Sequence, residues 1–396
     1  MKTKTIIFKT QDARRKTQDA RRNSLTAKAS HVARIILCLF WVALGLSASL
    51  AQAETFRYKY IDLNQAKFPT GISRFWMATS IDDNGRVYGI AYNDDNGGEY
   101  PIVYDRGVVT ALGAGTQGDA LAANGDGTAG GNVINFNSSG SPVYQAALFR
   151  GHKTKLIAPN LPGEVHSYVI GLNDEGTALI ESYGDNPSGA WPFIGYSLYK
   201  KGRFTLLDFG PTFQLSPYHN IINNEGTLIG NVSGSNGCSR GLRYGSNNGK
   251  TMTLNPLPTG ECSSASSINN RGNVLGVTSH LNFGEQHIGL WDKKGVFHTY
   301  LVDEGTPQFP SDINSIFNDN NLILITVTNP DTFDLNSYLL PKPGVRLNVA
   351  DLVVNPPSLN WKLSYIMDIN NKGDIIGSDK FFSHYFLLKR IDATTP

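Results

Sequence analysis

Tyr168, Tyr218 and Tyr365 each stand eight residues before a glycine of one recurring motif, and His166 and His219 lie within two residues of the first two tyrosines. Aromatic rings stack on sugars and other flat ligands, and an imidazole adds a hydrogen-bonding or proton-exchanging group. Brought side by side, these five residues would make a binding surface. The competing role for the same rings is packing between neighbouring strands.

Other chemistries find less support. Beyond residue 53 the histidines are His152, His166, His219, His280, His287, His298 and His384. None pairs at i, i+4 in a helical pattern or joins a Cys-x-x-Cys, so no zinc motif is written. His280, Glu285 and His287 share one loop, and "NDDNGGE" (Asn93–Glu99) offers hard oxygen atoms but lacks the spacing of a twelve-residue calcium loop. There is no Gly-x-Ser-x-Gly elbow and no phosphate-binding loop. Catalytic residues, cofactors and metals are therefore expected to be absent, although carboxylates gathered from distant segments leave no local signature. Asn137-Ser-Ser and Asn231-Val-Ser match the glycosylation pattern, which matters only in a eukaryotic secretory pathway.

The elements that would position these residues come from a repeat. Aligned on the turn glycine, the copies are "IDDNGRVYG", "ANGDGTAGG", "LNDEGTALI", "INNEGTLIG", "INNRGNVLG", "FNDNNLILI" and "INNKGDIIG", with turn positions 85, 127, 176, 226, 272, 321 and 373. Each reads as a strand end, an Asn/Gly turn and a second strand. Asn321 is the chemically sensible replacement for glycine, because Asn tolerates the left-handed conformation. Between the copies lie second hairpins such as "IVYDRGVVTAL", "ALFRGHKTKLI" and "SLYKKGRFTLL". Two hairpins in about 49 residues, repeated seven times, predict an all-β propeller of seven four-stranded antiparallel blades. The last copy is followed by a third strand, "HYFLLK" (His384–Lys389), and then the sequence stops; "TFRYKYIDL" (Thr55–Leu63) has the form of the missing fourth. One blade built from both chain ends implies a closed ring rather than an open solenoid, with Phe56–Leu63 against Tyr385–Lys389. The innermost strand would precede each turn, carrying Met77, Asp119, Tyr168, Tyr218, Ser264, Ile313 and Tyr365 in one register.

Residues 1–53 differ in kind. They hold 10 Lys and Arg against 2 acidic residues, then the apolar run "IILCLFWVALGLSASL" (Ile35–Leu50) and "AQA". This is the layout of a secretory signal with cleavage after Ala53; sixteen apolar residues are short for a spanning helix. An uncleaved anchor is the alternative. The remaining domain, 54–396, carries 25 basic and 31 acidic residues and no basic run, which argues against nucleic acid as a partner. Its two cysteines, Cys238 and Cys262, fall in loops expected at the same end of adjacent blades, so an exported chain should join them.

The apolar-Asn-x-x-Gly-x-apolar-apolar-Gly hairpin, with the strands "AALFR", "IGLWD" and "HYFLL", resembles the HAF family of bacterial extracellular repeats over the whole of 54–396. It departs from that pattern at Asn321 and in the compressed second copy. The resemblance implies a repeat fold and export, and no reaction. The expectation is a secreted or periplasmic, monomeric, non-catalytic scaffold, free of the membrane once cleaved, that binds a glycan or a protein at one face. The alternative is a polysaccharide hydrolase or lyase acting at the mouth of the channel.

Overall fold

A computed structural model describes residues 56–185, 192–209, 213–215, 220–234, 238–245, 249–258, 260–279, 285–303, 314–328, 334–358, 363–380 and 382–391. These form seven four-stranded antiparallel sheets with essentially no helix. Blades 1 to 6 occupy 74–111, 118–156, 166–207, 213–254, 262–303 and 314–348, each running in chain order from its innermost to its outermost strand. Blade 7 takes three strands from 365–391 and its outer one from Arg57–Asp62. That strand pairs antiparallel with Tyr385–Ile391, from Arg57 opposite Ile391 to Asp62 opposite Phe386, so the ring closes as expected.

The repeat shows why it is spelled as it is. In every copy the amide of the glycine-slot residue donates to the carbonyl three residues earlier, as in Gly226 to Asn223 at 2.9 Å and Asn321 to Asn318 at 3.0 Å. Gly226 sits at φ 77° and Asn321 at φ 59°, the left-handed values this turn demands. The second glycine serves close approach instead: a Cβ on Gly276 would fall on the carbonyl oxygen of Ser264 in the innermost strand.

The paired Asn residues couple one blade to the next. The first turns its Oδ1 inward, where Asn223 Oδ1 accepts from Thr227 N–H at 2.9 Å. Its Nδ2 reaches the neighbouring blade: Asn124, Asn173, Asn223, Asn269, Asn318 and Asn370 donate in turn to the carbonyls of Asn173, Asn223, Asn269, Asn318, Asn370 and Asp82. The second residue forms an outer belt. Backbone amides of Asp174, Asn224, Asn270, Asp319 and Asn371 each donate to the side-chain oxygen of the next blade's residue, all between 2.7 and 2.8 Å. Both belts break between blades 1 and 2, where the aligned residues are Asp82 and Gly125. Asp82 has no side-chain amide to donate, and its carboxylate instead accepts from Arg86 Nε at 2.6 Å and from the Tyr88 hydroxyl at 3.2 Å.

The apolar residues flanking these turns fill the spaces between blades. Leu228, Ile229 and Val274 are fully buried with Trp291 in the layer from blade 3 to blade 5, and Leu275, Ile323 and Ile325 in the next. Cys238 and Cys262 form the expected disulfide, with Cα atoms 5.2 Å apart, tying blade 4 to the entry of blade 5.

Candidate binding site

The belts mark one end of the ring, and the innermost strands begin at the other. Among the described residues, Met77, Asp119, Tyr168, Ser264 and Tyr365 share one register: each faces the residue five positions after its turn glycine, Ile90, Asn132, Glu181, Val277 and Ser378. Tyr218, His219 and Ile313 lie outside the described residues. Tyr168 and Tyr365 are partly buried, but they belong to separate clusters. The Tyr365 ring stacks on Phe382 at 4.2 Å in blade 7. Tyr168 lies 5.4 Å from Tyr144 of blade 2 and 6.1 Å from Tyr183 of its own blade.

His166 is buried, and its Nδ1 accepts from Tyr144 N–H at 3.4 Å. Burial pulls its pKa below the ordinary histidine value, holding the ring neutral.

Residues the sequence reading passed over extend the cluster around Tyr168. From Tyr183 the rings continue through Phe193 (5.9 Å), Tyr196 (4.8 Å) and Phe209 (6.1 Å) to Tyr244 of blade 4 (4.9 Å). Glu181 stands between Tyr168 and Tyr196 in the cross-strand row, and the hydroxyls of Tyr183 and Tyr196 donate to its carboxylate. Burial raises the Glu181 pKa from its ordinary value, and burial, with Glu181 next, pushes the Tyr183 hydroxyl up to about 12. On the blade 2 side, burial raises Asp119, and Asn132 Nδ2 donates to its Oδ2 at 2.8 Å. Glu99 of blade 1 is raised first by burial and then by the charge of Asp119.

Exposed apolar side chains of both kinds, aliphatic and aromatic, occur among the described residues. The aromatic ones, Trp76, Phe136, Phe193 and Phe382, are between 46% and 63% exposed. All four lie at strand ends on the side away from the Asn turns. Arg74 adds its guanidinium to the rings of Trp76 and Tyr92, at 6.0 and 5.5 Å.

The belt end is different. A polar well of about 110 Å³ is ringed there by the Asn and Asp turns. At its base the buried Asp368 carboxylate accepts from Ile81 N–H (3.0 Å), Ile369 N–H (2.8 Å) and the Ser80 hydroxyl (3.2 Å). Asn220 Nδ2 reaches it at 3.5 Å, joining blade 4 to blade 7. Burial pushes the Asp368 carboxyl up to about 6. The loop at Asn93–Glu99 turns its oxygens onto its own backbone, with Asn93 Oδ1 accepting from Asp95 N–H and Asn96 Oδ1 from Gly98 N–H, both at 2.8 Å.

No known family description matches the chain, and no curated protein does. Solved structures match the chain at low identity and low TM-score. A puromycin hydrolase is 11% identical with a TM-score of 0.38, over 69% of this chain and 44% of its own. An acylaminoacyl peptidase from Pyrococcus horikoshii is 10% identical with a TM-score of 0.45, over 85% of this chain and 54% of its own. This chain thus spans about half the length of those peptidases. The six-bladed fucose-binding lectin of Aleuria aurantia is 12% identical with a TM-score of 0.35, over 78% of this chain and 98% of its own.

Proposed function

We propose that this protein is an exported, non-catalytic binding scaffold whose recognition surface is the end of the propeller away from the Asn turns. The observation that carries the reading is the segregation of exposed aromatic side chains to that end, backed by the ring-to-ring path from Tyr144 to Tyr244. Rings in such a row suit the flat faces of sugars better than the curved surface of a folded partner, so the reading commits to a glycan ahead of a protein. It includes the HAF-type repeat, cleavage after Ala53, a secreted or periplasmic location and a monomer. Screening the protein against a glycan array is the test. Specific binding that falls when Trp76 and Phe193 become Ala supports it; no binding, or binding indifferent to both changes, refutes it. Sequencing the N-terminus of the exported protein, expected to begin at Glu54, tests the route.

The hydrolase alternative has one observation in its favour: Asp119 and Glu181, both held toward the protonated form by burial, lie beside the same rings. New reducing ends released from a bound polysaccharide, and lost in Asp119→Asn, would replace the scaffold reading with that one.

A further inference from the structure

One slot of the repeat changes character in a single blade. The third-strand residue that faces the position three after the turn is Val103, Leu148, Leu198, Leu290, Leu339 or Leu387 in six blades, and Arg243 in blade 4. Six blades form with an aliphatic side chain there, so the fold itself does not require a cation in that slot. Arg243 reaches across to blade 5. Its Nη1 donates to the carbonyls of Gly272 at 3.0 Å and Asp292 at 3.5 Å, and its Nη2 to the carbonyl of Lys293 and, at 3.2 Å, the sulfur of Met252. Among the described residues no carboxylate pairs with it. Asp292 turns its oxygens onto Lys294 N–H, Val296 N–H and the His298 ring, and Glu225 pairs with Lys293 at 2.8 Å. Burial is the largest influence on the guanidinium and lowers its pKa, against the charges of Asp292 and Glu225. The result is a partly buried cation with no counter-ion of its own.

Space for one lies beside it. A cleft of about 380 Å³ opens between the hairpins of blades 4 and 5, at the end with the Asn turns, and Arg243 lines it with Lys250, Lys293, Glu225, Thr251 and Met252. Solvent reaches it, since Lys250 and Thr251 are exposed and the side chains of Lys293 and Glu225 are 54% and 57% exposed. Three cations and one carboxylate leave its lining with a formal charge of +2. We propose that this cleft binds a small phosphate monoester, whose dianionic group sits among Arg243, Lys250 and Lys293. The cations come from the third and outermost strands of blade 4 and from the outer hairpin of blade 5. Donors arriving from three elements suit a tetrahedral oxyanion better than a planar carboxylate. Sites for small molecules run from about 300 to 1,000 Å³, so the cleft has room beyond the phosphate for the body of its ester, against the Thr251 hydroxyl and Met252. It lies at the end of the ring opposite the aromatic face and does not depend on the glycan reading.

The test is calorimetric titration of the purified protein at low ionic strength and about pH 8, where a phosphate monoester, with its second pKa about 6, is a dianion. The probes are glycerol phosphate, inorganic phosphate, acetate and glycerol; none carries a sugar ring, so the aromatic face stays out of the readout. Glycerol phosphate should bind about tenfold more tightly than inorganic phosphate, with acetate and glycerol giving no signal. Arg243→Leu, which restores the side chain found in the other blades, should melt as cooperatively as the parent and lose binding. Lys250→Gln should weaken binding about tenfold, and Glu225→Gln should strengthen it about threefold, a gain that a purely structural Arg243 would not give. If Arg243→Leu does not fold, the other two variants decide. Acetate bound as tightly as glycerol phosphate, inorganic phosphate bound more tightly than the ester, or no binding of any probe would overturn the proposal. Affinity unchanged in Lys250→Gln, or lowered in Glu225→Gln, would overturn it as well.

Discussion

At the scale of single residues, the fold tolerates groups that cost it stability. Replacing Asp119 by Asn supplies a donor where Asp119 Oδ1 and Asn132 Oδ1 have none, allowing a reciprocal amide pair. Asp119→Asn should therefore raise stability by about 1–2 kcal/mol in a urea titration at neutral pH. A variant less stable than the parent would mean that those oxygens are satisfied in solution. Asp368 gives the pH dependence. Its carboxyl is raised to about 6 by burial, while an unfolded Asp titrates near ~4. With the folded value the higher, the native state binds the proton more tightly. The resulting stability is complete below about pH 4 and is lost as pH rises to about 6. Asp119 acts in the same direction, since its folded-state pKa is also raised. Melting midpoints should fall across that interval, and fall less in Asp368→Asn. A parent midpoint that rises instead would contradict the placement of these carboxylates. Of the site, the sequence shows Asp119 and Tyr168 in one slot of the repeat. Their partners Asn132 and Glu181 share a second slot, five residues after the turn glycine, and a comb drawn there would have picked out both.

At the scale of the hairpin, the Asn-Asn dipeptide is legible as a turn but not as a coupling device. Periodicity fixes which residues turn the chain; it does not say that a turn amide reaches the next blade, because that depends on the angle between sheets. Asn223→Ala removes both the bond that closes its own hairpin and the 3.2 Å bond to the Asn269 carbonyl. The loss should be about 1–3 kcal/mol, since Asn223 and Asn269 are buried; an unfolding midpoint that does not move would reduce the belt to decoration. The bridge between Cys238 and Cys262 was readable because the up-and-down order of strands puts both loops at one end. It closes a separation of 24 residues, for which the chain-entropy model gives about 3 kcal/mol, so reduction should lower the urea midpoint accordingly.

At the scale of the whole molecule, closure was legible from the half-repeat at each end of 54–396, and the register of Arg57–Asp62 on Tyr385–Ile391 agrees with it. Deleting 54–64 should cost several kcal/mol, roughly, because blade 7 loses a strand and gains a raw edge. What the sequence could not show is the difference between the two ends of the ring. Aromatic residues are spread along the chain, and only the strand directions gather Trp76, Phe136, Phe193 and Phe382 on one side and the Asn belts on the other. That polarity is the basis of the functional account, and hydrogen–deuterium exchange with and without a glycan found on the array tests it most directly. The account predicts slowed exchange at the beginnings of the innermost strands, around 76 and 166–168, and at 193–196, with the turns at 82–85 and 223–226 unchanged. Slowed exchange confined to those turns would place the ligand at the opposite end and contradict it.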